Sequence, residues 1–243
     1  MGNSPASQRP LIGVTVEVLE PPAYEGQRRY QLFTDYLESC LRQAGGIGLL
    51  IPGDTPVNDV DSVLKVLDGI LLTGGDDIDL QPLGGPSPPK TSKPIPLAQQ
   101  TFSIALAEAA REQRIPTLGI CLGMQIMGVE SGAPLIQHLE ESDKHQAGIE
   151  HRVNAVSGTK LASLLGEEPV EIKSFHHQAL KHPGETLQAA AWSEDGVLEG
   201  VENPDHPFAI GVQWHPERTP NSIPTQKIFS SFVSAARNYR EGR

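Results

Sequence analysis

Residues Ile115 to Met127 read Ile-Pro-Thr-Leu-Gly-Ile-Cys-Leu-Gly-Met-Gln-Ile-Met. A short apolar run that ends just before Cys121 predicts a buried strand, and the residues after it have the spacing of a helix. Gly119 and Gly123 flank the cysteine two residues to either side, and small residues are needed where the backbone turns tightly from strand to helix. This stretch therefore predicts an elbow that lifts Cys121 above the edge of a sheet.

Such a turn favours a reactive thiol. The helix predicted over 122–130 directs its free N–H groups and the positive end of its dipole towards the sulfur, which favours the thiolate. The N–H of Leu122 is also a natural donor to an oxyanion. Taken alone, the same pattern also fits a buried structural cysteine beside a closely packed helix. The choice depends on the rest of the chain.

The remaining sequence alternates apolar runs with amphipathic stretches, which predicts an α/β protein with a mainly parallel, doubly wound sheet. Strands are predicted at 11–16, 47–51, 69–73 and 115–120, and helices at 30–44, 60–67, 99–113 and 122–130. An irregular proline-rich loop is predicted at 82–96. From about residue 148 the pattern changes, and shorter strands are predicted at 151–156, 170–173, 186–192, 197–201 and 208–213, followed by a helix at 224–239. These later strands predict antiparallel hairpins added to the sheet. We expect one domain over 1–243, with a core at about 10–239.

A histidine and a glutamate follow the strand predicted at 208–213. Residues two apart in an extended segment point the same way, so His215 and Glu217 can face one site, with Pro216 stiffening the turn. A carboxylate beside an imidazole fixes its tautomer and stabilises the imidazolium. Alone, these residues fit a turn with a surface charge pair. Together with Cys121 they predict a triad in which the histidine deprotonates the thiol and protonates a leaving amine.

The strand predicted at 69–73 ends in two glycines, at the edge where open α/β sheets place their sites. Gly74 or Gly75 is predicted to supply a second oxyanion donor beside Leu122, and one such donor is worth roughly 3 kcal/mol of transition-state stabilisation. Without the cysteine, a plain turn would explain these glycines as well.

Three acidic residues follow the glycines: Asp76, Asp77 and Asp79. Their spacing is not that of a calcium loop. They are predicted to cap a following helix, with binding of a substrate ammonium as the alternative.

The segment Ser174-Phe-His-His-Gln178 follows another predicted strand. It is predicted to hold polar groups over the site, with Ser174, His176, His177 and Gln178 as substrate-binding candidates and a solvated turn as the alternative. Adjacent side chains point apart, so the two histidines are a poor metal chelate. The other histidines have no partner pattern and are predicted to lie on the surface: His138, His145, His151, His182 and His206.

Composition limits the partners. The net charge of -11 disfavours nucleic acid and anionic membranes. The sequence has two cysteines, Cys40 and Cys121, too few for a framework of several disulfides. They are not spaced as metal ligands, and no metal or other cofactor is expected. Residues Met1–Ser7 have no signal-peptide pattern, and Ala6 stands where a myristoylation signal has Ser or Thr. With no apolar run of membrane-spanning length, a soluble cytoplasmic protein is expected.

Four motifs in combination resemble the class I glutamine amidotransferase-like superfamily, and within it the γ-glutamyl-γ-aminobutyrate hydrolase branch, the C26 peptidases. They are Gly119-Ile-Cys-Leu-Gly-Met-Gln125, Gly74-Gly75, Ser174-x-His-His-Gln178 and Gly211-Val-Gln-Trp-His-Pro-Glu217. The resemblance runs from Pro10 to about Tyr239.

The resemblance implies a flavodoxin-like fold and a γ-glutamyl thioester on Cys121 that water resolves. It assigns the oxyanion amides to Gly75 and Leu122, and it places Gln125 and the 176–178 loop in the glutamyl pocket. Members of the hydrolase branch often have arginine directly after the nucleophile. This sequence has Leu122 there and in this respect resembles the amidotransferases that use glutamine. The alternatives are a glutaminase subunit with a partner synthetase and a catalytically silent binding protein. A homodimer is a further expectation.

Overall fold

The computed structural model describes residues 9–21 and 27–243. The expectations for Met1–Ser7 and Ala6 lie outside these residues. The strands are β1 Leu11–Leu19, β2 Arg29–Gln31, β3 Ile47–Pro52, β4 Gly69–Leu72, β5 Thr117–Ile120, β6 Leu135–Ile136, β7 Ile149–Ala155, β8 Val170–Ser174, β9 Ala179–Leu180, β10 Gln188–Ser193, β11 Leu198–Glu202 and β12 Ala209–Val212. The α-helices are α1 Val60–Leu64, α2 Leu97–Glu112, α3 Leu122–Glu130, α4 Lys160–Leu165 and α5 Ile223–Glu241.

One large sheet organises the described residues. Its first part is parallel: β1 pairs with β3 and β4, β4 pairs with β5, and β5 pairs with β12. Its second part continues from β12 through β11, β10, β7 and β8 in antiparallel pairs. The prediction of a flavodoxin-like α/β fold with added antiparallel strands is confirmed.

Helices cover both faces of this sheet, which explains why its central strands are apolar throughout. One core lies under α1, α2 and α3 and includes Phe102, Leu106 and Met124. The other lies under α4 and α5 and includes Phe229 and Phe232. None of the helices in the described part of the chain is long and apolar enough to cross a bilayer.

The helix predicted at 30–44 differs from the structure. Arg29–Gln31 forms β2 and pairs antiparallel with Glu17–Leu19 of β1. A 3₁₀ turn at Thr34–Tyr36 and a wide π-helical turn at Leu37–Leu41 follow. The apolar periodicity correctly predicted that Tyr36, Cys40 and Leu41 are buried. It could not show that the last residues of β1, beyond those paired with β3 and β4, are available to pair with β2.

Candidate active site

The elbow at Cys121 has the strained geometry that its glycines predict. Cys121 lies between β5 and α3 with φ 52° and ψ −105°, a region that residues other than glycine rarely adopt. A Cβ atom added to Gly123 would lie 2.1 Å from the carbonyl oxygen of Leu72, and one on Gly119 would lie 2.7 Å from the Gly123 carbonyl. Only glycine therefore lets α3 approach the sheet this closely at both positions.

The predicted triad residues come to the same edge of the sheet. Strand β12 runs parallel to β5 with Val212 opposite Ile120, and the N–H of Cys121 donates to the carbonyl of Val212 at 2.8 Å. His215 follows three residues after Val212, and its Nδ1 lies 2.6 Å from Oε1 of Glu217. The Glu217 side chain is fully buried and that of His215 is 11% exposed. Because Glu217 engages Nδ1, Nε2 is the ring nitrogen that can contact the sulfur of Cys121.

The electrostatics of the pair favour a charged imidazole. Burial alone lowers the pKa of His215, but the neighbouring Cys121 sulfur and the Glu217 carboxylate outweigh it and raise that pKa to about 10. His215 is therefore an imidazolium at neutral pH when it faces the cysteine sulfur.

Two further residues contact this centre and were not predicted. Gln213 is fully buried, and its Nε2 lies 3.5 Å from Sγ of Cys121. The hydroxyl of buried Tyr36 accepts a hydrogen bond from the N–H of Gly74 at 3.1 Å. Burial, followed by the charge of Glu217, raises the pKa of Tyr36 well above its ordinary value, so it stays neutral. Gln213 was within reach of sequence reasoning because it precedes His215 by two residues in an extended segment; Tyr36 comes from a distant turn.

The structure separates the two predicted oxyanion glycines. The N–H of Gly74 is engaged by Tyr36. Gly75, by contrast, donates no backbone hydrogen bond to any residue in 9–21 or 27–243. A Cβ on Gly75 would lie 2.8 Å from Cδ2 of Leu122, so the Gly75 backbone and the start of α3 adjoin. In this conformation Gly75 is therefore the glycine whose amide is available beside Leu122, and its role as an oxyanion donor stays a prediction.

Two clefts meet at these residues and share Gly75, Asp76 and Phe175. The first, of about 320 Å³, contains Cys121 and Gln125 and is closed by the loop 175–178. The second, of about 430 Å³, contains His215 and Arg218. A substrate bound across both would place its reacting bond between the cysteine and the histidine.

The loop at 174–178 is fastened to the segment after the oxyanion glycines. The Gln178 side chain accepts from the N–H of Ile78 at 2.9 Å and donates to the Ile78 carbonyl at 3.1 Å. His177 pairs with Asp77 at 3.0 Å. Gln125 donates to the carbonyl of Gln178 at 3.0 Å. These contacts give the wall of the first cleft a defined shape.

Ser174 does not belong to that wall. Its side chain is fully buried, and its hydroxyl lies 2.7 Å from Nε2 of His151, on the side away from the cleft. The prediction that Ser174 binds substrate does not fit this position. Phe175 and the residues after it line the first cleft, whereas Ser174 does not.

The three aspartates have separate roles. Asp79 accepts from the N–H of Gln81 at 2.9 Å, but neither the 3₁₀ turn Gln81–Leu83 nor the next helix, α2, has a side-chain cap, so the capping prediction is wrong. Asp77 accepts from Ser92 and from the N–H of Lys93 besides pairing with His177. Asp76 lines both clefts, and burial raises the pKa of its carboxyl group.

The surface prediction for the remaining histidines is wrong for two of them. His145 and His206 are 1% and 3% exposed, and His151 is half-buried, whereas His138 and His182 are exposed as expected. The Nδ1 atom of His206 accepts from the N–H of Phe208. The buried partners of His145 and His151 come from later strands, so no local pattern revealed them.

Known proteins resemble this chain over most of its length. Residues 10–217 match the family model of peptidase C26. The chain belongs to the peptidase C26 family. It is thereby a member of the class I glutamine amidotransferase-like superfamily, in a branch of hydrolases.

Relatives of this C26 member carry two kinds of name. "Putative glutamine amidotransferase Rv2859c" of Mycobacterium tuberculosis is 35% identical over 244 residues, which cover 96% of this chain and 77% of that protein. "Gamma-glutamyl-gamma-aminobutyrate hydrolase PuuD" of Escherichia coli K12 is 30% identical over 248 residues, covering 95% and 94%. A solved structure from Thermoplasma acidophilum, described as a "putative gmp synthase subunit a protein", aligns with a TM-score of 0.65 at 18% identity over 96% of both chains. That last likeness shows the fold.

Proposed function

We propose that this protein hydrolyses γ-glutamyl amides, with Cys121 as nucleophile, His215 as acid and base, and Glu217 as the residue that orients the histidine. The observation that carries the proposal is the convergence of a strained strand-to-helix cysteine with a buried imidazole–carboxylate pair at 2.6 Å. The name of the Escherichia coli relative supports the choice of a γ-glutamyl amide.

In the first half of the proposed reaction, the Cys121 thiolate attacks the γ-carbonyl carbon of the glutamyl group. The carbonyl π electrons move to oxygen, and the N–H groups of Gly75 and Leu122 stabilise the resulting oxyanion. The oxyanion then collapses, the C–N bond breaks, and the His215 imidazolium gives its proton to the leaving nitrogen. A free amine leaves and a γ-glutamyl thioester stays on Cys121.

In the second half, water replaces the amine. His215, now neutral, takes a proton from the water, and the water oxygen attacks the thioester carbonyl. The second oxyanion collapses with cleavage of the C–S bond, which releases glutamate and restores the thiolate beside the imidazolium. Glu217 stays ionised throughout and stabilises the imidazolium whenever it forms.

The two clefts suggest how the substrate lies. The glutamyl group would occupy the cleft with Gln125 and the 176–178 loop, where Lys93 and Asp76 offer charges of both signs to its carboxylate and ammonium groups. The leaving amine would occupy the cleft on the His215 side. That cleft contains Glu17 and Asp76 as well as Arg218, so both cationic and anionic amines have a counter-charge there.

A glutaminase that delivers ammonia to a partner synthetase is the second candidate. It is favoured by two aromatic side chains at the mouth of the second cleft, Phe33 and Phe175, which are 48% and 42% exposed. Exposed aromatic residues beside a site are typical of a surface that a partner covers. The name of the Mycobacterium tuberculosis relative supports this reading.

The test is glutamate release from L-glutamine, γ-glutamyl-γ-aminobutyrate and other γ-glutamyl amines, with α-glutamyl dipeptides as a control for the position of the amide. We expect turnover of one or more γ-glutamyl amines other than glutamine, and none of the α-linked controls. Turnover of glutamine alone would replace the hydrolase with the ammonia donor. No release from any γ-glutamyl compound would contradict both enzymes and leave a binding protein.

The charged state of His215 predicts an alkaline limit to activity. Because its pKa is raised to about 10, the imidazolium that protonates the leaving amine is present below that pH and is lost as the pH rises through it. We expect kcat/KM to fall on the alkaline side at pH about 10. In Glu217→Gln the fall is expected at lower pH, because loss of the negative neighbour lowers the pKa of His215. A fall centred at the ordinary histidine value of about 6.5 would contradict the pairing.

A further inference from the structure

A cluster of buried titratable side chains lies behind the substrate loop, outside the triad. It joins four segments of the antiparallel half of the sheet, and we call it the histidine–glutamate cluster. Its members are His145 after the turn 142–144, His151 on β7, His176 after β8 and Glu199 on β11. The proposed reaction uses none of these groups as acid, base or nucleophile.

Three imidazole nitrogens converge on one carboxylate oxygen. Oε1 of Glu199 lies 3.3 Å from Nδ1 of His145, 3.6 Å from Nε2 of His151 and 3.4 Å from Nε2 of His176. Ligand atoms of His145, His151 and Glu199 all lie within 4.8 Å of one another. The Glu199 side chain is completely buried, so its negative charge has no access to water.

These distances are too long for hydrogen bonds between charged groups. An imidazolium that donates to a carboxylate is expected at about 2.7–2.9 Å. Neither oxygen of Glu199 forms a hydrogen bond with the residues that the structure describes, and the same is true of Nδ1 of His145 and Nε2 of His176. Leaving a carboxylate buried without partners costs several kcal/mol, so a cation is needed among these atoms.

The tautomers set by the outer contacts also call for a cation. Nδ1 of His176 lies 3.0 Å from the carbonyl of Gln178 and must donate to it, which leaves a lone pair on Nε2 in the neutral ring. Nε2 of His145 lies 3.0 Å from Asp195, which directs the lone pair of Nδ1 inward in the same way. Lone pairs of these two rings therefore face the oxygen of Glu199, an arrangement that is repulsive unless a positive charge lies between them. Nε2 of His151 contacts the Ser174 hydroxyl at 2.7 Å and would exchange that hydrogen bond for a bond to the cation.

The spacing matches that of ligands around zinc. With Zn–N and Zn–O bonds of about 2.0–2.2 Å, the corners of a tetrahedron are roughly 3.3–3.5 Å apart, close to the distances from Oε1 of Glu199 to the three imidazole nitrogens. His145, His151 and Glu199 also lie within reach of one another and form the inner set of ligands, with His176 beside them. Imidazole and carboxylate donors suit Zn²⁺, and a carbonyl or carboxylate on the far nitrogen is the usual outer partner of a zinc-binding histidine. A surface cleft of about 380 Å³ that includes His145, His151 and Asp195 offers a route in.

We propose that the histidine–glutamate cluster binds one structural Zn²⁺ ion. This departs from the sequence expectation of no metal, because the ligands come from segments far apart in the chain rather than from a short spaced motif. The ion would tie β7, β11 and the segment after β8 together. Through His176 it would fix the start of the loop that carries His177 and Gln178 into the cleft.

The test uses the full chain, expressed without a histidine tag, stripped with a chelator, incubated with Zn²⁺ and dialysed. We expect one zinc per chain by elemental analysis. The Co²⁺-substituted protein is expected to show the intense visible absorption of a tetrahedral site, without a thiolate-to-cobalt band. A chain that retains no zinc, or a cobalt spectrum of octahedral type, would overturn the proposal in favour of protonated histidines that neutralise Glu199.

Variants locate the ion independently of catalysis. Glu199→Gln and His145→Ala are expected to weaken zinc binding by more than 100-fold, and Asp195→Asn by roughly 10- to 100-fold through the outer contact. His182→Ala, at an exposed histidine, and Cys121→Ala, at the proposed nucleophile, are expected to retain the ion. Equal zinc content in Glu199→Gln and the unmodified chain would contradict the site. If Glu199→Gln fails to fold, the milder Asp195→Asn variant and the cobalt spectrum decide.

Discussion

Replacement of Cys121 by alanine is expected to abolish glutamate release from γ-glutamyl amides, with a loss in kcat of roughly 10⁴- to 10⁶-fold. The proposed covalent path is lost because its nucleophile is the sulfur. The fold should survive, since alanine is smaller and the site at φ 52° already tolerates a side chain. The measurement is single-substrate kinetics on the best γ-glutamyl amine of the panel, with circular dichroism to verify folding.

The matched control is Cys40→Ala. Cys40 is also a buried free thiol, but it packs in the core beneath α5, and burial raises its pKa to about 12. It should keep full activity, and iodoacetamide should label the chain at Cys121 and spare Cys40. Residual activity of Cys121→Ala within tenfold of the unmodified enzyme would refute the assignment of the nucleophile.

Glu217→Gln is expected to reduce kcat by roughly 10⁴-fold, the loss that follows when the carboxylate of a triad is made neutral. The amide has almost the same volume as the carboxylate, so the packing around this fully buried side chain is retained. What is lost is the negative charge that stabilises the His215 imidazolium and accepts a hydrogen bond from its Nδ1, 2.6 Å from Oε1 of Glu217. Steady-state kinetics at several pH values measure both the loss and the displaced alkaline limb.

Glu202→Gln separates this effect from the general cost of altering a buried glutamate. Glu202 is 1% exposed, and its carboxylate accepts from the N–H groups of Lys160 and Leu161 at the start of α4, remote from both clefts. We expect it to lower stability and leave kcat unchanged. An equal fall in kcat for the two variants would show that Glu217 acts only through folding.

The parts of the site that sequence reasoning predicted are those encoded by local patterns. A strand-to-helix turn is predicted within five residues by Gly119, Cys121 and Gly123. The helix after it was predicted with the bounds observed, Leu122–Glu130. His215 and Glu217 are two residues apart, so their common direction follows from strand geometry. Parallel strands then bring the two motifs to one sheet edge, as β5 and β12 do.

The parts that escaped prediction depend on contacts between distant segments. Tyr36 was recognised only as an apolar helix position, yet its hydroxyl engages Gly74 and thereby distinguishes Gly75 as the oxyanion candidate. His145 meets Glu199 only because the antiparallel strands fold back on themselves, and their separation along the chain is 54 residues. Ser174 was assigned to the loop after the strand predicted at 170–173, whereas it is the last residue of β8 and contacts His151 on β7, a partner that no local pattern indicates.

The central claim is that a γ-glutamyl group becomes attached to Cys121. It is tested most directly by acid quench of the enzyme within its first turnover of a γ-glutamyl amine, followed by intact and peptide mass spectrometry. We expect an added mass of one γ-glutamyl group on the peptide that contains Cys121, removed by hydroxylamine and absent from Cys121→Ala. Turnover without any adduct on Cys121, or an adduct on another residue, would contradict it.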